Sequence, residues 1–325
     1  MAGGMAKMFS PKTFGPAVAG ARAQSPTTPG PRVFDPQDLQ KKLPFGGGLL
    51  SLGKKSGGKT VSVVRLEGVI RPGGGPFGRG ALNAQNLETP LADAFGAPDA
   101  VAVALVINSP GGSPAQSALI GDRIRQLSAK HEKPVLAFCE DVAASGGYWL
   151  ACAADEIFVS ASTVIGSIGV VSSSFGLTEA IEKLGLERRV HTSGLNKSRL
   201  DPFLPEKPED IAWLADIQSD IHQVFIDWVK ERRGSKLVGA DNELFNADVW
   251  IGKRAVELGV ADAVGSLRAV LADRFPEAKP HEVKPKQQLL QRLGLAASVE
   301  DVALRAMDGA VSAVERRAMW SRFGL

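Results

Sequence analysis

An unbroken apolar run from Val101 to Ile107 passes directly into Asn108-Ser109-Pro110-Gly111-Gly112, and a helical pattern follows from Pro114 to Lys130. The same order returns at once: apolar Pro134 to Cys139, the turn Asp141-Val142-Ala143-Ala144-Ser145-Gly146-Gly147, then a small-residue helix from Tyr148 to Ala154. Strands that are apolar at every position are those of a parallel sheet covered on both faces. Joined by helices, they make stacked βα units, so the chain is read as α/β.

The alternation extends both ways. Thr60 to Leu66 reads as a strand, Pro72 to Gly80 as a glycine-rich loop and Ala84 to Phe95 as a helix. Downstream come a strand at Glu156 to Ser160, a glycine turn through Gly166 and Gly169, a helix from Thr178 to Leu184 and a strand at Arg188 to Thr192. Residues 207–233 carry a long amphipathic pattern stopped by Gly234, and 252–258 and 266–274 read as shorter helices flanking a small strand near Val260. Three regions result: a basic Gly/Pro-rich leader at 1–58, a folded domain at 59–275, and a linker with an amphipathic helix (Ser298 to Phe323) at 276–325. That helix is expected to pack on the chain's own core or on a sister subunit, with a membrane surface as the sharper alternative.

With 38 Lys and Arg against 35 Asp and Glu, the net charge of +3 gives no argument for nucleic acid. The leader alone is strongly basic: nine Lys and Arg in residues 1–60 face only Asp35 and Asp38. No stretch approaches the roughly 18 consecutive apolar residues of a membrane span, and the N-terminus lacks the long apolar centre of a secretory signal. A cytoplasmic enzyme, or one peripheral to a membrane, is expected. Cys139 and Cys152 have no partner at metal-ligand spacing, so both are read as reduced core thiols, and no metal or other cofactor is implied.

Ser145 is the residue with the strongest chemical signature. A sharp strand-to-helix turn exposes a hydroxyl, flanking glycines allow close backbone approach, and the Gly146 N–H at the helix start points toward developing negative charge. This is the setting of a serine nucleophile. None of the four histidines supplies an obvious base: His131 ends a polar helix, His222 lies in the long helix and His281 in the linker, which leaves His191 as the only histidine competitor.

Two glycine turns, Asn108-Ser-Pro-Gly-Gly112 and Ala144-Ser-Gly-Gly-Tyr148, together with Gly166-Ser-Ile-Gly-Val170 and Ser193-Gly-Leu-Asn-Lys197, resemble in identity and order the motifs of the bacterial signal peptide peptidase A (protease IV) family. The likeness covers about residues 60–270. It implies a Clp protease/crotonase-like fold and a Ser/Lys dyad of Ser145 as nucleophile and Lys197 as general base. Lysine can act so only if it is sheltered from water, because desolvation is what lets it give up its proton. The apolar neighbours Leu195 and Leu200 are consistent with such shelter.

The resemblance further implies an oxyanion hole of Gly146 N–H with Gly112 (or Gly111) N–H. Ser167 is the candidate to orient Lys197, and Gly111, Ser113, Gly169 and Val170 would bracket an extended peptide. A ring-shaped homo-oligomer is implied, with the dyad either within one subunit or shared between two. Signal peptides or other unfolded peptides are the expected substrates. The rival readings are a crotonase-type acyl-coenzyme A enzyme, which needs carboxylates that the glycine turns do not offer, and a phage capsid-maturation protease of the same fold.

Overall fold

The computed structural model describes residues 58–72, 81–283, 317 and 319–323. The leader, the segment 73–80 and nearly all of the C-terminal helix expected at Ser298 to Phe323 therefore lie outside the described residues.

The chain runs β1 (Thr60–Glu67), α1 (Ala84–Gly96), β2 (Ala100–Ser109), α2 (Pro114–His131), β3 (Val135–Ala144), α3 (Gly146–Cys152), β4 (Glu156–Val159) and β5 (Val164–Gly166). It continues through α4 (Thr178–Lys183), α5 (Pro208–Arg233), α6 (Asp241–Leu244), β6 (Val249–Ile251), α7 (Gly252–Glu257), β7 (Ala263–Val264), α8 (Leu267–Arg274) and β8 (Lys279–Glu282). The strands form one sheet in the order β6-β5-β3-β2-β1-β8, with β4 beside the first half of β3 and β7 beside β4. All pairings are parallel except β5 with β6. This is the expected α/β architecture of stacked βα units.

Local chemistry fixes the helix ends. Asn83 caps α1 by accepting the Asn86 N–H, and Ser113 caps α2 immediately before Pro114. The long α5 opens on Pro208 with Glu209 and Asp210 in its first turn. It closes on Lys230, Arg232 and Arg233 before Gly234, so its charges oppose the helix dipole at both ends.

Strand β3 changes partners midway, from β4 to β5. There the hydroxyl of Thr163 bonds the carbonyls of Cys139 and Glu140, groups that the change of neighbour would otherwise strand. The larger core lies on the face covered by α1, α2, α3 and α5 and includes Phe95, Ile120, Ile124, Tyr148, Trp149 and Phe225. The smaller one, built on Val61, Val63, Phe138 and Phe158, lies under α8 through Leu271. Both cysteines are buried and free.

Two expectations about elements fail. Arg188 to Thr192 has the residue types of a strand but pairs with no strand among the described residues and is exposed. Conversely, Lys279–Glu282 falls in the linker expected beyond residue 275, yet it forms β8, an edge strand parallel to β1. Its side chains are all exposed, so backbone pairing rather than apolar burial holds it. The small strand near Val260 is β7, a few residues later.

Candidate active site

Ser145 directly follows β3 and occupies the N-cap position of α3 with φ +53° and ψ −122°. A non-glycine residue in this region costs about 1–3 kcal/mol and persists only where its surroundings enforce it. They do so from both sides: Ser145 N–H donates to the Gly166 carbonyl at 2.8 Å, and the Ser145 carbonyl accepts Trp149 N–H at 3.0 Å as the first bond of α3.

The turn after β2 lies against this elbow. A Cβ on Gly111, whose φ is +99°, would fall 2.8 Å from Ser145 Cβ and 2.7 Å from Gly146 N, so only glycine permits the approach. Gly147 is packed as closely on the Ser109 carbonyl. The turn is held from behind by Val69–Ile70: Ile70 N–H donates to Gly111 O, and Ser113 N–H donates to Ile70 O, each at 2.8 Å. Gly111 N–H is engaged by the Ser109 hydroxyl at 3.2 Å. Among the described residues, neither Gly112 N–H nor Gly146 N–H has an acceptor.

Beside Ser145 opens a cleft walled by Gly112, Pro114, Ser117, Gly146, Trp149, Gly169, Val170, Ile221 and Phe225. It is mainly apolar, and among the described residues no carboxylate lines it, which leaves the crotonase-type expectation without its acid/base groups. The structure thus brings Ser145, Gly112, Gly146, Gly169 and Val170 together, with Gly111 directly behind them. Ser113 stands apart: its hydroxyl caps α2, its N–H is bonded to Ile70 and its carbonyl accepts the Ser117 hydroxyl. Ser167, at φ +52°, has its N–H on Asp248 O at 2.7 Å, and its hydroxyl bonds nothing among the described residues, Lys197 included.

Lys197 is not brought to the cleft within one chain. It lies in a run of turns at 193–200 and its side chain is exposed, as is Leu195, so the shelter expected from Leu195 and Leu200 is missing here. The whole stretch 171–207 contains no buried residue, while Phe175, Leu184, Leu186 and Leu195 stand out in solvent. His191 belongs to the same exposed stretch.

Sequence reasoning missed Ser117, Trp149, Ile221 and Phe225 as cleft residues. Trp149 and Phe225 stack with ring centroids 4.8 Å apart, and Trp228 Nε1 donates to the Trp149 carbonyl at 3.0 Å, locking α5 onto α3. Spacing offered a partial signal: Trp149 lies one helical turn beyond Ser145, and Ile221 and Phe225 are an i, i+4 pair.

The family model that matches this chain is described as peptidase family S49 and covers residues 128–279, from the end of α2 into β8 and including Ser145, Gly166–Val170 and Lys197. The chain belongs to peptidase family S49. This S49 chain is 33% identical over 225 residues to a protein of Arabidopsis thaliana named serine protease SPPA, chloroplastic, covering 68% of this chain and 33% of that one. It is 46% identical over 273 residues to a Brucella abortus protein named Na(+)/H(+) antiporter NhaA, covering 82% of this chain and 37% of that longer protein, to which the name refers. It spans about a third of the length of either relative. A solved structure of a membrane-bound stomatin-specific protease aligns with 70% of this chain and 99% of its own, at 15% identity and a TM-score of 0.43. Among the described residues of this S49 chain, no helix is long and apolar enough to cross a membrane.

Proposed function

We propose that this S49 chain is a serine-type endopeptidase that forms an acyl-enzyme on Ser145. The observation carrying this reading is the enforced elbow: a strained serine sharing its cleft with two backbone N–H groups, Gly112 and Gly146, that have no acceptor among the described residues. A tetrahedral intermediate would supply one, its oxyanion accepting from these two amides. Gly112 is favoured over Gly111 because the Gly111 amide is engaged by Ser109.

Lys197 is the proposed general base. It would take the Ser145 proton during attack, return it to the leaving amine and activate the hydrolytic water afterwards. A lysine in water cannot do this, so the exposure of Lys197 in a single chain supports a dyad completed by a neighbouring copy. The exposed apolar side chains of 171–207 support the same arrangement, since a segment with no buried residue gains its order from a partner. A homo-oligomeric ring of this kind would enclose the clefts. The mainly apolar cleft suits a small or aliphatic side chain of an unfolded substrate, and signal peptides are rich in such residues. A cytoplasmic or membrane-peripheral location goes with this reading.

Two experiments test it. A fluorophosphonate should label the wild-type chain and not Ser145→Ala; equal labelling of both would refute the nucleophile. Ser145→Ala and Lys197→Ala should each be inactive alone and regain activity when dissociated, mixed and reassembled. No recovery would refute the shared dyad.

A further inference from the structure

Gly169 and Val170 line the cleft together with Gly112, and besides the strand pairing of Gly166 with β3 and β6 three hydrogen bonds among the described residues tie the segment Gly166–Val170 down. Gly166 O accepts from Ser145 N–H, and Ser167 N–H donates to Asp248 O. The third is a side chain: His222 Nε2 lies 3.0 Å from the Ile168 carbonyl. A carbonyl can only accept, so Nε2 carries the hydrogen and the tautomer of a neutral His222 is set.

That third tie is the last one. Among the described residues, nothing from Gly169 to Gly176 makes a hydrogen bond. The backbone beyond Ile168 therefore enters the cleft with free donors and acceptors, as a strand edge does before a partner is added to it. His222 alone among the three ties depends on a particular side chain.

The histidine is itself rigidly mounted. It lies on α5 between Ile221 and Phe225, both of which line the cleft, and α5 is fixed to the nucleophile's helix by the Phe225–Trp149 stack and the Trp228–Trp149 bond. A rigid path thus runs from Ser145 through α3 and α5 to the Ile168 carbonyl. From the opposite side Ala247 packs against Gly169, where a Cβ would approach within 2.6 Å.

We infer that His222 is a positioning residue: it holds the Gly169–Val170 edge at the distance from Ser145 that lets an extended peptide pair with it. The inference rests on the peptidase reading of the same cleft. A peptide that must pair along this edge needs the bond, whereas a small reagent that meets only Ser145 and the two free amides does not.

The test compares His222→Leu with His222→Gln, which returns an N–H donor at nearly the same reach. For an extended fluorogenic peptide, the Leu variant should raise KM roughly tenfold with kcat changed less than about threefold, and Gln should restore KM to within about twofold. The rate of fluorophosphonate labelling should be the same in both. Unchanged KM in His222→Leu, or a parallel fall in labelling and kcat, would overturn the inference. Should the Leu variant not fold, His222→Glu, similar in size to Gln but presenting an acceptor to the carbonyl, must raise KM where Gln does not. A wild-type protein that neither reacts with the reagent nor cleaves peptide would sink the peptidase reading, and the inference with it. A reactive wild type whose KM ignores residue 222 sinks the inference alone.

Discussion

The main-chain N–H of Ser145 bonds the carbonyl of Gly166 at 2.8 Å, so the elbow and the strand leading to Gly169 and Val170 are parts of one sheet. The bond continues the pairing of β3 with β5, whose last registered partners are Ala144 and Gly166. Strain at Ser145 is thus held by sheet pairing on one side and by the helical bonds of α3 on the other.

Gly111→Ala should be severe. Its Cβ would fall 2.7 Å from Gly146 N and 2.8 Å from both Ala144 O and Ser145 Cβ, at a φ of +99° that alanine resists. Overpacking and backbone strain together should cost about 2–4 kcal/mol. Activity should be lost with stability, since relief of the clash displaces the nucleophile itself. Urea denaturation and fluorophosphonate labelling check both, and a variant of wild-type stability and reactivity would contradict the close approach.

Gly146→Ala should also destabilise, for a separable reason. Here the nearest atom to the added Cβ is the Ser117 hydroxyl at 2.4 Å, followed by Ile70 Cδ1 at 3.0 Å. Removing that hydroxyl in Ser117→Ala opens the space, so the double variant should be more stable than the sum of the two single effects, with a coupling of about 1 kcal/mol or more. Strict additivity in the denaturation cycle would show that Ser117 is not the obstacle.

The parts legible in the sequence were those whose physics is local or repetitive. Strands covered on both faces read as apolar runs, the amphipathic pattern and Gly234 marked the extent and end of α5, and Ser145 was conspicuous between a strand and a helix with glycines beside it. Lys279–Glu282 was not legible, because an exposed edge strand held by backbone pairing has no apolar periodicity to betray it. Arg188 to Thr192 misled in the opposite direction, having strand-like residues but no partner edge among the described residues. Ile221 and Phe225 were visible only as an apolar helix stripe, and nothing local distinguishes a stripe that fills a core from one that walls a cleft. The exposure of Lys197 depends on what covers 171–207, which is not a property of its neighbours in sequence.

The two thiols should be silent in the native state. Burial pushes the Cys152 thiol up to about 12, with nearby Arg233 offsetting only part of the shift, and burial pushes Cys139 up as well. Thiolate is the reactive form, so alkylation by iodoacetamide at neutral pH should proceed only as the chain unfolds. Labelling followed by mass spectrometry across a urea series should track the unfolding transition. Fast modification of either cysteine in buffer would contradict their burial.

Asp262 should make the fold acid-sensitive. Burial alone would raise its carboxyl, but hydrogen bonds from Arg233, Lys236 and the Ile157 N–H outweigh this and hold it below its ordinary value of 3.8. A carboxylate depressed by folding adds stability above its unfolded value, and that stability is lost as pH falls through the folded one. The partner makes the effect structural: Arg233 is only 3% exposed and also donates to Gly259 O, so it joins the end of α5 to the turn before β7. Asp262→Asn would leave that buried guanidinium without its counter-charge, a loss of about 3 kcal/mol near neutral pH. The difference in urea midpoint between wild type and Asp262→Asn should then shrink on acidification to about pH 3 and below, as the wild-type carboxyl takes up its proton. A difference that stays constant over that range would mean that Asp262 contributes shape and hydrogen bonds at this joint, and not charge.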